Sequence, residues 1–382
     1  MLKDYGIDFE LFKKHEQAAR ESFPTDFVNK DNILKLAKEA DIPLDNYNYL
    51  DDFLSFADQE LMHFIWLLYY VQYESEEDFM LRYHSIDSWP MPLAAEEKFP
   101  GGVGAAVCLL AVQNLKKWVS EKNLGEDIID GYYTRYRYFL ELNGGNPGVK
   151  GMCRLKGFLY AYTKPFFFRL GRLAFEVTKL EKQVECYLNE NGSRVYVASA
   201  DGRFNSDGEL DWKEGKPAVY EKNGNVLKVQ KFNDIGRLES KITELDLTKH
   251  TLFLSKEDYV VSVHIPEGGR LDEKSVADSF DYAKKIIGQY FPYCKAFVCH
   301  TWFIDPILVD EIVKKGGNME KFADLFDKVS VIDSYNGPIF ELIFKTYPRP
   351  LEELVPENEF QNKVLERAKR GEKMYWCYGV MK

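Results

Sequence analysis

The chain has 382 residues, of which 45% are hydrophobic and 15% aromatic, so it carries enough apolar surface for packed cores. A chain of this length exceeds what one hydrophobic core usually serves, and the length alone therefore predicts two domains. The formal net charge of −11 argues against binding to nucleic acid or to anionic membranes as the main role, because such proteins present a basic surface.

Six cysteines are spread along the chain without a Cys-x-x-Cys pair and without zinc spacing relative to histidine. This usage predicts free thiols in a reducing cytoplasm and no metal site. The first residues lack the apolar segment of a signal peptide. The longest apolar runs, 61–71 and 103–112, are shorter than the about 20 residues that span a bilayer. We therefore expect a cytoplasmic protein that does not enter a membrane.

The first 145 residues carry apolar side chains at helical spacing. We predict five helices, over residues 9–21, 32–40, 50–73, 101–120 and 127–141. Asp31 or Asn32 would cap the second helix. The glycine-rich run 101–104 follows no strand, which favours helix packing over phosphate binding. The sequence Gly-Gly-Asn-Pro-Gly at 144–148 breaks the helical pattern and predicts a hinge.

Short strands separated by turn pairs begin at about residue 166. We predict strands over 167–177, 183–188, 194–198, 218–221 and 226–230. Pairs such as Asn191-Gly192 and Asn223-Gly224 are typical of tight hairpin turns. The section 183–250 should therefore consist of antiparallel hairpins, and its density of turns leaves open a role as an interaction module.

Strands and helices alternate in the C-terminal part of the chain. We predict strands over 259–265, 296–304, 329–332 and 339–345, and helices over 273–290, 306–315, 319–326 and 359–370. Asp272 is placed to cap the first of these helices and Asp305 the second. The first two strands and the helix between them form a crossover unit, which sets two parallel strands in one sheet.

A glycine turn from Glu267 to Asp272 joins the strand 259–265 to the following helix. Backbone N–H groups at a helix N-terminus hold phosphate groups, so Gly268 and Gly269 are candidate phosphate ligands. Arg270 could add positive charge. The other interpretation of this segment is a plain tight turn.

Two histidines lie at or near the C-terminal ends of the predicted strands, where sheets of this kind bind their ligands. His264 could act as a general base or contact the substrate, or be a strand-end histidine with backbone partners. His300 shares a strand face with Val298 and Trp302, and is either a site residue or a buried core histidine.

Glu176 is a carboxylate on an otherwise apolar strand, which is costly unless the group is paired or functional. It either binds an amine substrate or forms a salt bridge with Arg169 or Arg172. Cys299 is next to His300, but adjacent strand residues point to opposite faces, so no thiol–imidazole pair is expected. The remaining histidines are interpreted as surface or helix-packing residues: His15, His63, His84 and His250.

Two segments carry a family resemblance: Val-His-Ile-Pro-Glu-Gly-Gly at 263–269 and Ala-Phe-Val-Cys-His-Thr-Trp-Phe-Ile-Asp-Pro at 296–306. They resemble the GNAT-like C-terminal domain of a bacterial acyltransferase family whose members have a helical N-terminal domain. Residues 170–176 and the Trp-Pro-Met-Pro motif at 89–92 extend the resemblance over roughly residues 80 to 380. It implies an all-helical domain over 1–150 and an α+β or α/β domain over 151–382, with a mixed sheet flanked by helices and the hairpin-rich section 183–250.

The resemblance implies a cytoplasmic enzyme that moves an acyl group from acetyl-CoA or another acyl-CoA to an amine or hydroxyl of a small-molecule acceptor. The pantetheine arm would lie where the two parallel strands part, with the cofactor held by four residues: Ile265, Gly268, Gly269 and Arg270. The catalytic candidates are His264, His300 and Glu176. The alternative is a non-catalytic protein that binds acyl-CoA or another small molecule, because the turn is shorter than the GNAT superfamily's Arg/Gln-x-x-Gly-x-Gly/Ala loop and the helix 306–315 has no tyrosine to protonate the leaving thiolate.

Overall fold

The computed structural model describes residues 2–75, 88–142, 150–152, 159, 161–164, 166–266, 269–312, 316–333, 337–344 and 350–382. The chain divides into two compact units, Met1–Arg169 and Leu170–Lys382. The predicted hinge at 144–148 lies outside the described residues, and the boundary at 150/151 stays a prediction. In the described segments no helix is long and apolar enough to cross a bilayer.

The described part of the first unit is helical, as predicted. Its helices are α1 (Glu10–Glu21), α2 (Lys30–Glu39), α3 (Leu44–Phe56), α4 (Gln59–Tyr73), α5 (Leu93–Lys98), α6 (Gly102–Glu121) and α7 (Asp127–Leu142). Helix α6 is buried along most of its length and forms the centre of this unit. A Cβ on Gly102 would lie 2.7 Å from the ring of Phe53, so the glycine run at 101–104 allows close helix packing, as predicted.

Two details of the helical prediction are wrong. The single helix expected over 50–73 is interrupted at Ala57 and Asp58, because the Asp58 carboxylate accepts a hydrogen bond from the backbone N–H of Leu61 at 2.8 Å and starts a new helix. Helix α2 is capped by Asn29, whose side chain accepts from the N–H of Asn32 at 2.8 Å. The cap therefore lies before both residues proposed for it.

The chain from Phe167 onward contains a six-stranded mixed sheet and an antiparallel hairpin sheet. The strands in chain order are β1 (Phe167–Leu170), β2 (Leu173–Lys179), β3 (Val184–Asn189), β4 (Arg194–Ala198), β5 (Arg203–Phe204), β6 (Lys216–Pro217), β7 (Tyr220–Asn223), β8 (Val226–Phe232), β9 (Leu238–Asp246), β10 (His250–Leu254), β11 (Tyr259–His264), β12 (Phe297–Thr301), β13 (Phe326–Asp333) and β14 (Tyr375–Met381). The mixed sheet has the order β1-β2-β11-β12-β14-β13, and β11 and β12 run parallel.

The hairpin sheet has the order β10-β3-β4-β8-β7, with β9 paired to β8. It packs on one face of the mixed sheet through a shared apolar cluster that includes Val184, Leu254, Val260, Val298 and Tyr378. The section 183–250 is thus part of this unit's core, and the prediction of antiparallel hairpins is confirmed.

Five helices are described in the second unit: α8 (Glu273–Tyr290), α9 (Pro306–Ile312), α10 (Asn318–Ala323), α11 (Gly337–Phe344) and α12 (Glu359–Lys369). Helix α8 covers the other face of the mixed sheet, where the Phe280 ring lies 5.7 Å from Phe175 and 5.6 Å from Phe297. Its predicted bounds are confirmed. Full burial of one such large apolar side chain contributes about 1.5–3 kcal/mol.

Three strand predictions are wrong for local reasons. The run 167–177 is a hairpin, because Gly171 adopts a positive φ of 63° and turns the chain. The strand expected over 296–304 ends at Thr301, whose hydroxyl accepts from the N–H of Phe303 at 3.1 Å and starts a 3-10 turn. The described part of the predicted strand 339–345, residues 339–344, is part of helix α11, since Ile339, Phe340 and Ile343 share one buried face at helical spacing.

Candidate active site

The parallel strands β11 and β12 pair over only part of their length. Val261 lies opposite Phe297 and Ser262 opposite Val298, and this pairing ends before either strand does. Beyond it, the Val263 carbonyl accepts a hydrogen bond from the Cys299 thiol at 3.3 Å, so a side chain takes the place of a backbone donor. The strands therefore part toward their C-terminal ends, and we call the gap between them the strand opening.

His264 and Glu176 form a hydrogen-bonded pair beside the strand opening. Nε2 of His264 lies 3.0 Å from Oε2 of Glu176. Glu176 lies opposite Ser262 and His264 opposite Ala174 in the antiparallel β2–β11 ladder, so the two side chains are diagonal neighbours on one face. The structure thus gives Glu176 a third kind of partner, a histidine, beyond the substrate amine and the arginines considered from the sequence.

Burial differs between the two members of this pair. The Glu176 side chain is 7% exposed, whereas that of His264 is 28% exposed and can reach solvent or a ligand. A buried carboxylate accepts hydrogen bonds only, so in the neutral ring of His264 the proton lies on Nε2 and Nδ1 carries none.

His300 occupies the matching position on β12. It lies two residues after Val298, as His264 lies two residues after Ser262, so both histidines flank the strand opening on the same face of the sheet. Burial, reinforced by the positive charges of Lys182 and of protonated His264, lowers the pKa of His300 from 6.5 to about 3.

The ring of His300 is partly buried and contacts two aromatic side chains. Its centroid lies 5.6 Å from that of Trp376 and 6.1 Å from that of Tyr378, both on β14. Its Nε2 is buried and has no hydrogen-bond partner among the described residues. Trp302 does not share its strand face, contrary to prediction, because Trp302 lies in the 3-10 turn that follows β12.

The glycine turn connects β11 to α8 at the same end of the sheet. Ile265 follows β11 directly and is partly buried, and Gly269 has a positive φ of 69°. Arg270 is exposed, and Asp272 caps α8 by accepting from the N–H of Ser275 at 3.0 Å, as predicted. Glu267 and Gly268, the other residues of the predicted phosphate site, lie outside the described residues.

Arg172 contacts this turn, although the sequence suggested it only as a salt-bridge partner of Glu176. Its guanidinium donates a hydrogen bond to the carbonyl of Pro266, and its backbone N–H donates to Oγ of Ser279 at 2.9 Å. A Cβ placed on Gly269 would lie 3.8 Å from Cδ of Arg172. The β1–β2 hairpin brings Arg172 to the turn, and that hairpin was predicted as one continuous strand.

The other candidate residues have structural roles. Cys299 is fully buried, and burial raises the pKa of its thiol, so it is not an activated nucleophile. Asp305 caps α9, accepting from the N–H of Ile307 at 2.9 Å, as predicted. The ring of His63 packs on Phe23 at 4.2 Å, and Nδ1 of His250 lies 3.0 Å from a backbone carbonyl.

His15 contacts the ring of Tyr70 at a centroid distance of 6.1 Å, which agrees with the helix-packing interpretation. His84 lies outside the described residues. Of the six histidines, only His264 and His300 are placed by the described structure at the strand opening.

A mixed sheet whose central parallel strands part beside a glycine turn, with a helical unit ahead of it, defines a GNAT-like architecture. Residues 167–381 match the model of the GNAT-like C-terminal domain family. This match covers more than half of the chain, and the protein belongs to that family. No curated protein sequence matches the chain.

Solved acyltransferase structures share the fold of the whole chain at low sequence identity. An acyltransferase in complex with decanoyl-CoA and teicoplanin has 13% identity and a TM-score of 0.65, with 100% of this chain and 98% of that chain covered. An acyltransferase mutant with octanoyl-CoA and an acyltransferase with CoA and 10C-teicoplanin each have 14% identity, a TM-score of 0.63 and the same coverage. The predicted helical domain followed by a GNAT-like mixed sheet is thereby confirmed.

Proposed function

We propose that the protein is an acyl-CoA-dependent acyltransferase that moves an acyl group to an amine or hydroxyl of a small-molecule acceptor. One observation carries the proposal: the His264–Glu176 pair, the strand opening and the glycine turn lie together at one end of the mixed sheet. Membership of the GNAT-like family supports it. The similar structures support it as well, since each is an acyltransferase bound to CoA or an acyl-CoA.

The donor would occupy the strand opening and the glycine turn. The pantetheine arm is an extended amide chain, which suits the edge of a strand whose backbone groups lack a strand partner. The pyrophosphate would lie at the N-terminus of α8, where backbone N–H groups and the helix dipole favour anions. Gly269 permits the tight turn there; Arg270 lies in the same turn, and Arg172 contacts it from the β1–β2 hairpin.

The reaction would proceed by direct transfer. The acceptor nitrogen attacks the thioester carbonyl carbon and gives up a proton to Nδ1 of His264, while Glu176 stabilises the imidazolium. The C–S bond then breaks, the acyl group stays on the nitrogen, and the thiolate of CoA takes the proton back from His264. The proton lost by the amine thus ends on sulfur. His264 would therefore serve as the donor that helix α9 cannot supply, since Pro306–Ile312 contains no tyrosine.

The free thiols of the described cysteines are compatible with a reducing compartment, and we propose a cytoplasmic location. The acceptor is proposed as a small molecule that presents a primary amine or hydroxyl. Octanoyl and decanoyl esters appear in the similar structures, so medium-chain donors belong in the test beside acetyl-CoA.

The test is release of free CoA thiol from acetyl-, octanoyl- and decanoyl-CoA in the presence of an amine panel. We expect acceptor-dependent release by the wild type and a decrease of about 10²–10⁴-fold in kcat for His264→Gln, with donor affinity kept. His250→Gln is the matched control, because His250 lies on β10 with a backbone partner. Donor binding without release under any condition would favour the non-catalytic alternative.

A further inference from the structure

His300 has a buried ring nitrogen for which the described residues provide no partner. An unpaired buried donor or acceptor lowers the stability of the folded protein by about 1–3 kcal/mol. Such a group in a ligand site is therefore expected to form a hydrogen bond with the ligand. His300 lies two residues beyond Val298 on β12, as His264 lies two residues beyond its paired Ser262 on β11, and both lie on the same face of the sheet. The unpaired nitrogen therefore belongs to a residue that borders the strand opening.

The electrostatic surroundings keep this imidazole neutral. Burial is the main cause, and the positive charge of Lys182 adds to it; a proton on His264 also disfavours one on His300. Trp376 and Tyr378 contact it with apolar ring surface. A neutral imidazole has one N–H donor and cannot also act as an imidazolium acid, so His300 suits hydrogen bonding and His264 suits proton transfer.

We propose that His300 donates a hydrogen bond from Nε2 to the thioester carbonyl oxygen of acyl-CoA in the strand opening. This role rests on the proposed function and adds a second catalytic residue to the proposed mechanism. When the acceptor attacks, the carbonyl oxygen gains negative charge, and a fixed donor in a dry site stabilises that charge more than it stabilises the ground state. The hydrogen bond breaks no covalent bond and moves no proton.

In this proposal the two histidines have different catalytic roles. His264, which is 28% exposed and paired with Glu176, removes the acceptor proton. His300 polarises the carbonyl that the acceptor attacks. Loss of one fixed donor to a developing oxyanion lowers kcat by about 10²–10³-fold. His300→Phe should show this loss with donor affinity little changed, and His300→Gln, which retains an N–H donor, should recover part of it.

Infrared difference spectroscopy of acyl-CoA labelled with ¹³C at the thioester carbonyl reads the hydrogen bond directly. We expect the carbonyl band of the bound donor at lower wavenumber in the wild type than in His300→Phe. Calorimetric titration of both proteins with the same donor establishes that it is bound. An identical band in the two proteins, with donor bound to both, would overturn the role of His300 and leave the proposed acyl transfer standing.

A second measurement uses the wild type and does not depend on the folding of a variant. Proton–nitrogen correlation spectra of ¹⁵N-histidine protein should show Nε2 of His300 protonated, with a proton resonance that moves when donor is added. Absence of that movement at saturating donor contradicts the hydrogen bond. Failure of the wild type to bind any acyl-CoA would overturn the proposed function itself, and with it the role of His300.

Discussion

Glu176 and His264 lie on neighbouring antiparallel strands as diagonal partners, with Oε2 of the carboxylate 3.0 Å from Nε2 of the ring. The ladder fixes both Cα positions, and the carboxylate then fixes the ring orientation. In the proposed mechanism Glu176 is a positioning residue, because it acts through His264 and not on the substrate.

Glu176→Gln keeps the size of the side chain and removes its charge. We expect a decrease in kcat, because the amide can bond the ring in either tautomer and no longer stabilises the imidazolium. KM for the donor should change little, because in the proposed mechanism Glu176 acts through His264. Glu257→Gln, at an exposed ion pair with Lys179, is the control. An unchanged kcat in Glu176→Gln contradicts the assignment.

Gly269→Ala tests the conformation of the turn. The added Cβ meets nothing closer than Cδ of Arg172 at 3.8 Å, so the cost comes from the positive φ of 69° and should be about 1–2 kcal/mol. Gly288→Ala is the matched control inside α8, where an added Cβ meets nothing within 4 Å, and it should stabilise by about 0.5–1 kcal/mol. Urea unfolding of both variants measures the difference, and equal effects would contradict the strain.

Arg172→Ala should weaken donor binding. The substitution removes a positive charge and the hydrogen bond that the guanidinium donates to the Pro266 carbonyl. Arg172→Lys should retain part of the affinity, because it keeps the charge but loses the planar fork. The exposed Arg203 on β5 provides the control variant Arg203→Ala. Titration with CoA measures all three, and unchanged affinity in Arg172→Ala would remove Arg172 from the phosphate site.

The low pKa of His300 predicts that the folded protein loses stability in acid. Its pKa is about 3 in the folded protein and 6.5 as its ordinary value, so the unfolded chain binds the extra proton between these values. The contribution of His300 to the free energy of unfolding is therefore fully present above pH 6.5. It falls as the pH decreases toward 3, by up to about 1.4 kcal/mol per pH unit. His300→Phe should lack that component. Unfolding free energies at several pH values test it, and equal slopes would contradict it.

Glu209 is a buried carboxylate that organises one end of the second unit. It is 1% exposed and accepts hydrogen bonds from Tyr375, Asn205, Lys373 and Arg237 at 2.7–3.2 Å. Burial raises the pKa of Glu209, but the hydrogen bonds and positive charges of these donors lower it by more, so the pKa lies below its ordinary value. Glu209→Ala removes the acceptor that these donors share and should cost about 3–5 kcal/mol in urea unfolding. A cost near zero would contradict this organising role.

Patterns within a single element predicted much of this fold. Helix α8 was predicted at its observed bounds, because Val276, Phe280, Ala283 and Ile287 repeat at helical spacing and Asp272 supplies a cap. Helix α11 was predicted as a strand, since a short apolar run has no length or polar face to distinguish the two. The strands β9, β10 and β14 were not predicted at all.

The candidate site was predicted only as separate residues. His264, His300 and Glu176 were each identified from residue type and strand position. Their arrangement depends on the register of β2 with β11 and of β11 with β12, which is set by packing between segments distant in sequence. Arg172 was considered only as a partner of Glu176, and its contact with the glycine turn was not predicted, because that contact follows from the turn at Gly171.

The most direct test of the central proposal is calorimetric titration of the wild type and of Gly269→Asp with CoA, acetyl-CoA and octanoyl-CoA. The variant puts a carboxylate at the N-terminus of α8, where the pyrophosphate is proposed to bind. We predict saturable binding to the wild type and at least about tenfold weaker binding to the variant. Equal binding to both proteins would contradict the placement of the donor at the turn, and no binding to the wild type would contradict acyl-CoA as the donor.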